Sequence, residues 1–115
     1  MSKVYFYTDV QSSVADEEDV IVSVKFPSAA TTGFTDIKLP NGEHKGIKKD
    51  GQAMIGKATS LKNKQIIINA RPFNYAEEVK EVKIKILINN EIIVTHENSK
   101  EIEPTPSIFI ILTLK

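Results

Sequence analysis

A chain of 115 residues with 15 basic and 15 acidic side chains and 41% hydrophobic residues has the composition of one globular domain with its own core. Cysteine is absent, which excludes a disulfide framework, a thiol nucleophile and a thiolate metal site. No apolar run reaches the roughly 18–20 residues of a membrane helix, and no charged-apolar-small leader opens the sequence. As written it predicts a cytoplasmic protein without membrane insertion, or an exported one from which a leader has been removed.

The first predicted strand is Lys3 to Asp9, in which Val4 and Phe6 alternate with Tyr5 and Tyr7. A polar connection then ends in the acidic run Asp16-Glu17-Glu18-Asp19. From Val20 to Phe26 the alternation is clean, with Val20, Val22, Val24 and Phe26 on one face, and Pro27 stops the strand. Phe34 to Leu39 is a short strand closed by the turn residues Pro40-Asn41-Gly42. Glu43 to Lys49 and Ala53 to Ala58 are weaker strands, Gly56 marking a bulge or a close backbone approach. Gln65 to Arg71 places Ile66, Ile68 and Ala70 on one face, and Pro72 is expected to end it. Phe73 to Glu78 reads as one helical turn or a loop.

Val79 to His96 is the longest patterned stretch and reads as a β-hairpin with Asn89-Asn90 at its tip. Two rules conflict there. A two-residue loop suits a type I′ turn, because Asn tolerates positive φ, but it mixes the two faces. A three-residue loop, Asn89 to Glu91, puts Ile84, Ile86, Ile88, Ile92 and Val94 on one face and Lys83, Lys85, Leu87, Ile93 and Thr95 on the other. Burying each further Ile is worth roughly 1.5–3 kcal/mol, against about 1–2 kcal/mol for a left-handed non-Gly residue. The three-residue loop is therefore expected. A polar stretch, Glu97 to Ser107, leads to the last strand, where Ile108, Ile110, Leu112 and Leu114 oppose Phe109, Ile111 and Thr113.

About nine short strands without a helical period predict an all-β fold. The expectation is a single antiparallel Greek-key β-sandwich over residues 1–115, with about seven to nine strands, a partly open barrel being the other closure. Immunoglobulin-like or fibronectin-like applies to layers alone, since the paired Cys around a Trp are missing.

No catalytic residue is assigned. His44 and His96 are the imidazoles, neither beside a nucleophile elbow, and both read as surface or strand-edge residues. Two His without Cys make a poor zinc or copper site. Calcium is the one metal the acidic loop offers ligands for, through Asp16, Glu18 and Asp19, although consecutive acids cannot all point at one ion. No cofactor is otherwise implied. The glycines and lysines of GEHKGIKKDG lack phosphate-loop spacing. Residues 34–71 are basic, seven lysines and Arg71 against three acids, but a single arginine and one aromatic argue for a solvated face rather than a nucleic-acid partner. The sharper signal is a surplus of apolar residues on strand faces that should be polar. Three strands carry it: Leu87 and Ile93 in the hairpin, Phe109 and Ile111 in the last strand, and Ile67 beside Asn69. Either loops or the 72–78 segment cover them within the chain, or Leu87, Ile93, Phe109 and Ile111 are the interface for a protein partner or for self-association. The expected function is a non-enzymatic structural or protein-binding module working through a sheet face or edge. The alternative is a carbohydrate or small-ligand module on Tyr5, Tyr7 or Tyr75, assisted by calcium.

Overall fold

A computed structural model describes residues 4–26, 32–48, 50–73, 80–103 and 105–115. Nine strands run in chain order: β1 (Val4–Ser12), β2 (Asp19–Lys25), β3 (Thr32–Lys38), β4 (His44–Lys48), β5 (Gly51–Lys57), β6 (Gln65–Phe73), β7 (Glu81–Ile88), β8 (Glu91–Ser99) and β9 (Ser107–Leu114). A four-residue helix, α1 (Ala58–Leu61), lies between β5 and β6. The strands form a five-stranded sheet, β1-β9-β6-β3-β4, and a four-stranded sheet, β5-β2-β7-β8. All pairings are antiparallel except β1 with β9. Among the described residues no helix is long and apolar enough to cross a membrane.

The period-two rows define the core. Val20, Val22 and Val24 of β2, Ile84, Ile86 and Ile88 of β7, Ile66 and Ile68 of β6 and Ile108, Ile110 and Leu112 of β9 are all buried in one cluster. β-Branched side chains suit this pleated interior because their restricted rotamers lose little on packing. Three strands carry an extra residue that keeps the pattern inward. In β1 the register shifts between Tyr7 and Val10, where Asp9 has φ 60°, so Val10 and Ser12 continue the inward row of Tyr5 and Tyr7. In β5 the shift lies at Ile55-Gly56, with Gly56 at φ 143°. The third shift lies in the hairpin.

The β7–β8 tip adopts neither simple register. Asn89 and Asn90 both have positive φ, 47° and 71°, and Ile88 pairs with Glu91, so the loop has two residues and not the expected three. Leu87 then pairs with Ile92 but Ile86 with Val94, which leaves Ile93 as a bulge. Below it, Val94 and His96 face the core as the longer loop required, whereas Ile92 is turned out and Ile93 packs inward. The turn is tied to the body of the domain. Asn89 accepts the Ile21 N–H through Oδ1 at 2.8 Å and donates from Nδ2 to Glu18 at 2.8 Å, and its N–H donates to the Ile21 carbonyl at 3.0 Å. These bonds offset the left-handed backbone of two Asn residues.

Other boundaries differ for local reasons. β6 runs through Pro72 to Phe73, because its neighbour at that point is Gly33, whose missing Cβ leaves room for the Pro72 backbone. Ala58 opens α1 instead of ending a strand, its N–H bonding Glu18 O at 2.9 Å. The stretch expected as a helical turn lies, from residue 74 to 78, outside the described residues.

The connectivity divides the sandwich into two equivalent halves. In β2–β5 the first strand pairs with the fourth and the second with the third; in β6–β9 the same holds. The halves are joined reciprocally, β2 to β7 and β6 to β3. Replacing each strand by its counterpart turns β9-β6-β3-β4 into β5-β2-β7-β8. Among the described residues β1 is the one strand without a counterpart, added to the edge of β9.

Candidate functional site

The outer face of the five-stranded sheet carries an apolar band. Phe6 on the edge strand is 67% exposed and meets Phe109 edge-on, with ring centroids 5.7 Å apart. Val4 lies beside it on the same face, 43% exposed. Register places Ile111 next to Ile67, so three adjacent strands contribute to one group. On β3, Phe34 is 40% exposed, and its ring covers Gly46, where a Cβ would come within 2.9 Å of the ring. Beyond it His44 Nδ1 lies 2.9 Å from an Asp36 carboxylate oxygen, both side chains exposed.

The four candidate interface residues do not share this face. Phe109 and Ile111 belong to it. Leu87 is on the outer face of the other sheet, only 7% exposed, between Ser23 and Ile92 in the register. Ile93 sits in the bulge and packs against the core. The four therefore form no single surface: Phe109 and Ile111 lie on the outer face of the five-stranded sheet, while Leu87 and Ile93 are covered within the four-stranded one. Phe6, Val4 and Ile67 complete the apolar group around Phe109 and Ile111, whereas Phe34 stands apart between Arg71 and Lys48, Asn69 being the neighbour of Phe109. The signal of all four was present in the sequence as the outward partners of each inward row.

Tyr5 and Tyr7 turn inward, toward β8. His96 lies between them, buried at 1% exposure, with ring centroids 4.5 Å from Tyr5 and 5.8 Å from Tyr7. It is a core histidine and not the surface or strand-edge residue expected. Its proton can be placed by the network. Asn98 Nδ2 donates to the carbonyls of Ser99, at 2.9 Å, and Glu103, at 3.0 Å, so Oδ1 is the atom facing His96 Nε2 at 2.7 Å. Nε2 therefore donates, Nδ1 accepts, and the Tyr7 hydroxyl donates to Nδ1 at 2.6 Å. Burial holds the His96 pKa below its ordinary 6.5, against a smaller opposing effect of the Asn98 bond. Burial likewise raises that of Tyr7, with Tyr5 adding to it. The chain from Tyr7 through His96 to Asn98 closes the β1–β8 side of the sandwich. Tyr75 lies outside the described residues.

The acidic loop is dispersed among different partners. Asp16 pairs with Lys62 at 2.7 Å and Asp19 with Lys57 at 2.8 Å. Glu18 accepts the Ala15 N–H at 2.9 Å and an Asn89 amide N–H at 2.8 Å. The Ala15 bond first, then that of Asn89, lowers its pKa. Among the described residues no three His, Asp or Glu side chains gather into a metal-holding group.

The opposite side of the sandwich is open. A cleft of about 580 Å³ lies between the β3–β4 turn and the Met54–Lys57 end of β5, beside α1, lined by Leu39, Pro40, Met54, Ile55 and Leu61, with Lys45, Lys57, Lys64 and Glu43 at its polar positions. No protein-family model matches this chain, and neither a curated protein nor a solved structure does.

Proposed function

We propose that this domain is a non-enzymatic structural or protein-binding module, a Greek-key sandwich immunoglobulin-like in its two layers. It acts through the outer face of the five-stranded sheet, which a second copy of the chain covers. One observation carries the reading: Phe6, Phe109, Ile111 and Ile67 form an apolar group on a face that a sandwich ordinarily leaves polar. A half-exposed aromatic pair at such a position is the kind of anchor that dominates protein interfaces, each ring being worth roughly 1.5–3 kcal/mol on full burial. Formal neutrality, 15 positive against 15 negative side chains, lets two copies approach without net repulsion. The ligand-binding alternative gains no such support, since Tyr5 and Tyr7 pack on His96 instead of presenting a flat aromatic row to solvent.

The test is to place charge on the face. Phe6→Lys with Phe109→Lys abolishes self-association while the circular dichroism spectrum is unchanged, and Ile92→Lys, on the outer face of the other sheet, leaves association intact. Equal association in the double variant and the parent sinks the reading.

A further inference from the structure

We propose that the open edge of β5 at Met54–Lys57 is an acceptor for an extended segment of a partner polypeptide, laid parallel to β5 between it and the β3–β4 turn. The protein-binding reading gains a second surface by it, at the sheet edge rather than the sheet face.

The two halves of the fold set up the argument. β5 is the counterpart of β9, and β9 already receives an added parallel strand, β1. The correspondence reaches single residues. β2 reads Val20-Ile21-Val22-Ser23-Val24-Lys25 and β6 reads Ile66-Ile67-Ile68-Asn69-Ala70-Arg71, with the same alternation, the same polar interruption and the same terminal cation. Ile21 pairs with Met54 as Ile67 pairs with Ile111, and Val22 with Ala53 as Ile68 with Ile110. The edge of β5 therefore follows the register of the edge of β9 through Ala53 and Met54, and the bulge at Ile55-Gly56 offsets it by one residue beyond. Among the described residues it pairs with β2 alone, so alternate N–H and C=O groups point away from the sheet, a template for strand addition.

The cleft lies where the added strand belongs. In the other half β1 closes the gap between β9 and β8, with Tyr7 and Val10 against the core and Val14 buried beyond the strand. In this half β4 closes on β5 at Gly51, where a Cβ would lie 3.0 Å from Ile47 Cγ2, and the corresponding space is open only at the other end of β5, as the 580 Å³ cleft beside Met54–Lys57. Its apolar lining from Leu39, Met54, Ile55 and Leu61 takes the alternate apolar side chains of an extended segment. Its charge selects what lies between them. Lys57 is bound to Asp19, whereas Lys45 and Lys64 are both exposed and outnumber Glu43. The segment that fits is extended, apolar at every second position and acidic at the others.

The experiment titrates the isotopically labelled full chain with three nine-residue peptides, following amide shifts and hydrogen exchange by NMR. One peptide alternates Glu with Val and Tyr, one scrambles that composition, and one replaces Glu by Lys. The alternating acidic peptide shifts Met54–Lys57 and Leu39–Lys45 and slows exchange of the Met54–Lys57 amides. The other two bind at least about tenfold more weakly. Lys45→Glu with Lys64→Glu, both at exposed sites, reverses the preference between the Glu and Lys peptides while amides remote from the cleft keep their shifts. Absence of binding, equal binding of the scrambled peptide, or shifts confined to the Phe6–Phe109 face each overturn the proposal. Running the titration also on the Phe6→Lys, Phe109→Lys variant separates the two readings: loss of self-association there leaves peptide capture unaltered.

Discussion

Removing one hydroxyl tests whether His96 is held as described. Tyr7→Phe keeps the ring and its edge-on contact with His96 but deletes the donor to Nδ1, 2.6 Å away. The imidazole is almost wholly buried, so Nδ1 loses its partner without gaining water. A buried acceptor left unpaired costs about 1–3 kcal/mol. With a urea dependence of roughly 2 kcal/mol per molar for a domain of this size, the unfolding midpoint falls by about 0.5–1.5 M. The same network sets a pH dependence. Burial favours the neutral form of His96 in the folded chain and lowers its pKa from the 6.5 it has when unfolded. Below about pH 6.5 the unfolded chain takes up a proton that the native one does not. The stabilisation is therefore complete above that pH and is lost as pH falls below it. His96→Phe removes this slope between about pH 6.5 and the lower native pKa, and in that background Tyr7→Phe costs little, because the acceptor has gone. Urea titrations of the four species between pH 5 and 8 decide the matter. An unchanged midpoint for Tyr7→Phe, or the same slope below pH 6.5 with and without His96, refutes the assigned network.

Changes at four further positions follow from the backbone. Asn89→Gly keeps the positive φ and the backbone bond to the Ile21 carbonyl but removes the side-chain bonds to the Ile21 N–H and Glu18, and it costs about 1 kcal/mol. Asn89→Ala removes them and strains the turn as well, so by thermal melting it is the less stable of the two. Deleting Ile93 removes the bulge yet leaves Leu87 opposite Ile92 and Ile86 opposite Val94; the chain folds with the same hairpin register, losing about 1–2 kcal/mol of side-chain burial. An NMR spectrum without the native β7–β8 cross-strand contacts contradicts this. Gly33→Ala costs about 1–3 kcal/mol, since its Cβ would meet Arg71 O at 2.9 Å and Pro72 Cα at 3.0 Å, backbone atoms that cannot swing aside. Gly46→Ala costs less, because its neighbour is the half-exposed Phe34 ring; equal losses at the two sites contradict the packing argument.

The inward rows were legible because burial on one face imposes a period of two, and Val20 to Phe26, Ile66 to Ala70 and Ile108 to Leu114 obey it. The hairpin shows where that logic stops. Counting residues offered one loop length or the other, while the chain combines the tight Asn-Asn turn with a bulge that restores the inward face below it. In Glu91-Ile92-Ile93-Val94, either Ile could face the core, so alternation alone does not place the extra residue. His96 was within reach: it lies two residues after Val94 and shares its face, and its charge-neighbour Glu97 suggested a surface position instead. Tyr5 and Tyr7 were correctly paired on one face, but only the stacking of β1 against β8 shows that this face looks inward. The two halves were legible too, in Val20–Lys25 against Ile66–Arg71, although conservative exchanges such as Ser23 with Asn69 conceal the repeat from a search for identical residues. The cleft was not legible, because it depends on which strands become the edges.

The reading of this domain as an assembly module is tested most directly by the solution mass of the unmodified chain, measured by light scattering over a wide concentration series. The account predicts a discrete dimer that dissociates on dilution, with Phe6 and Phe109 buried between two copies. A constant monomer mass at every concentration would contradict it.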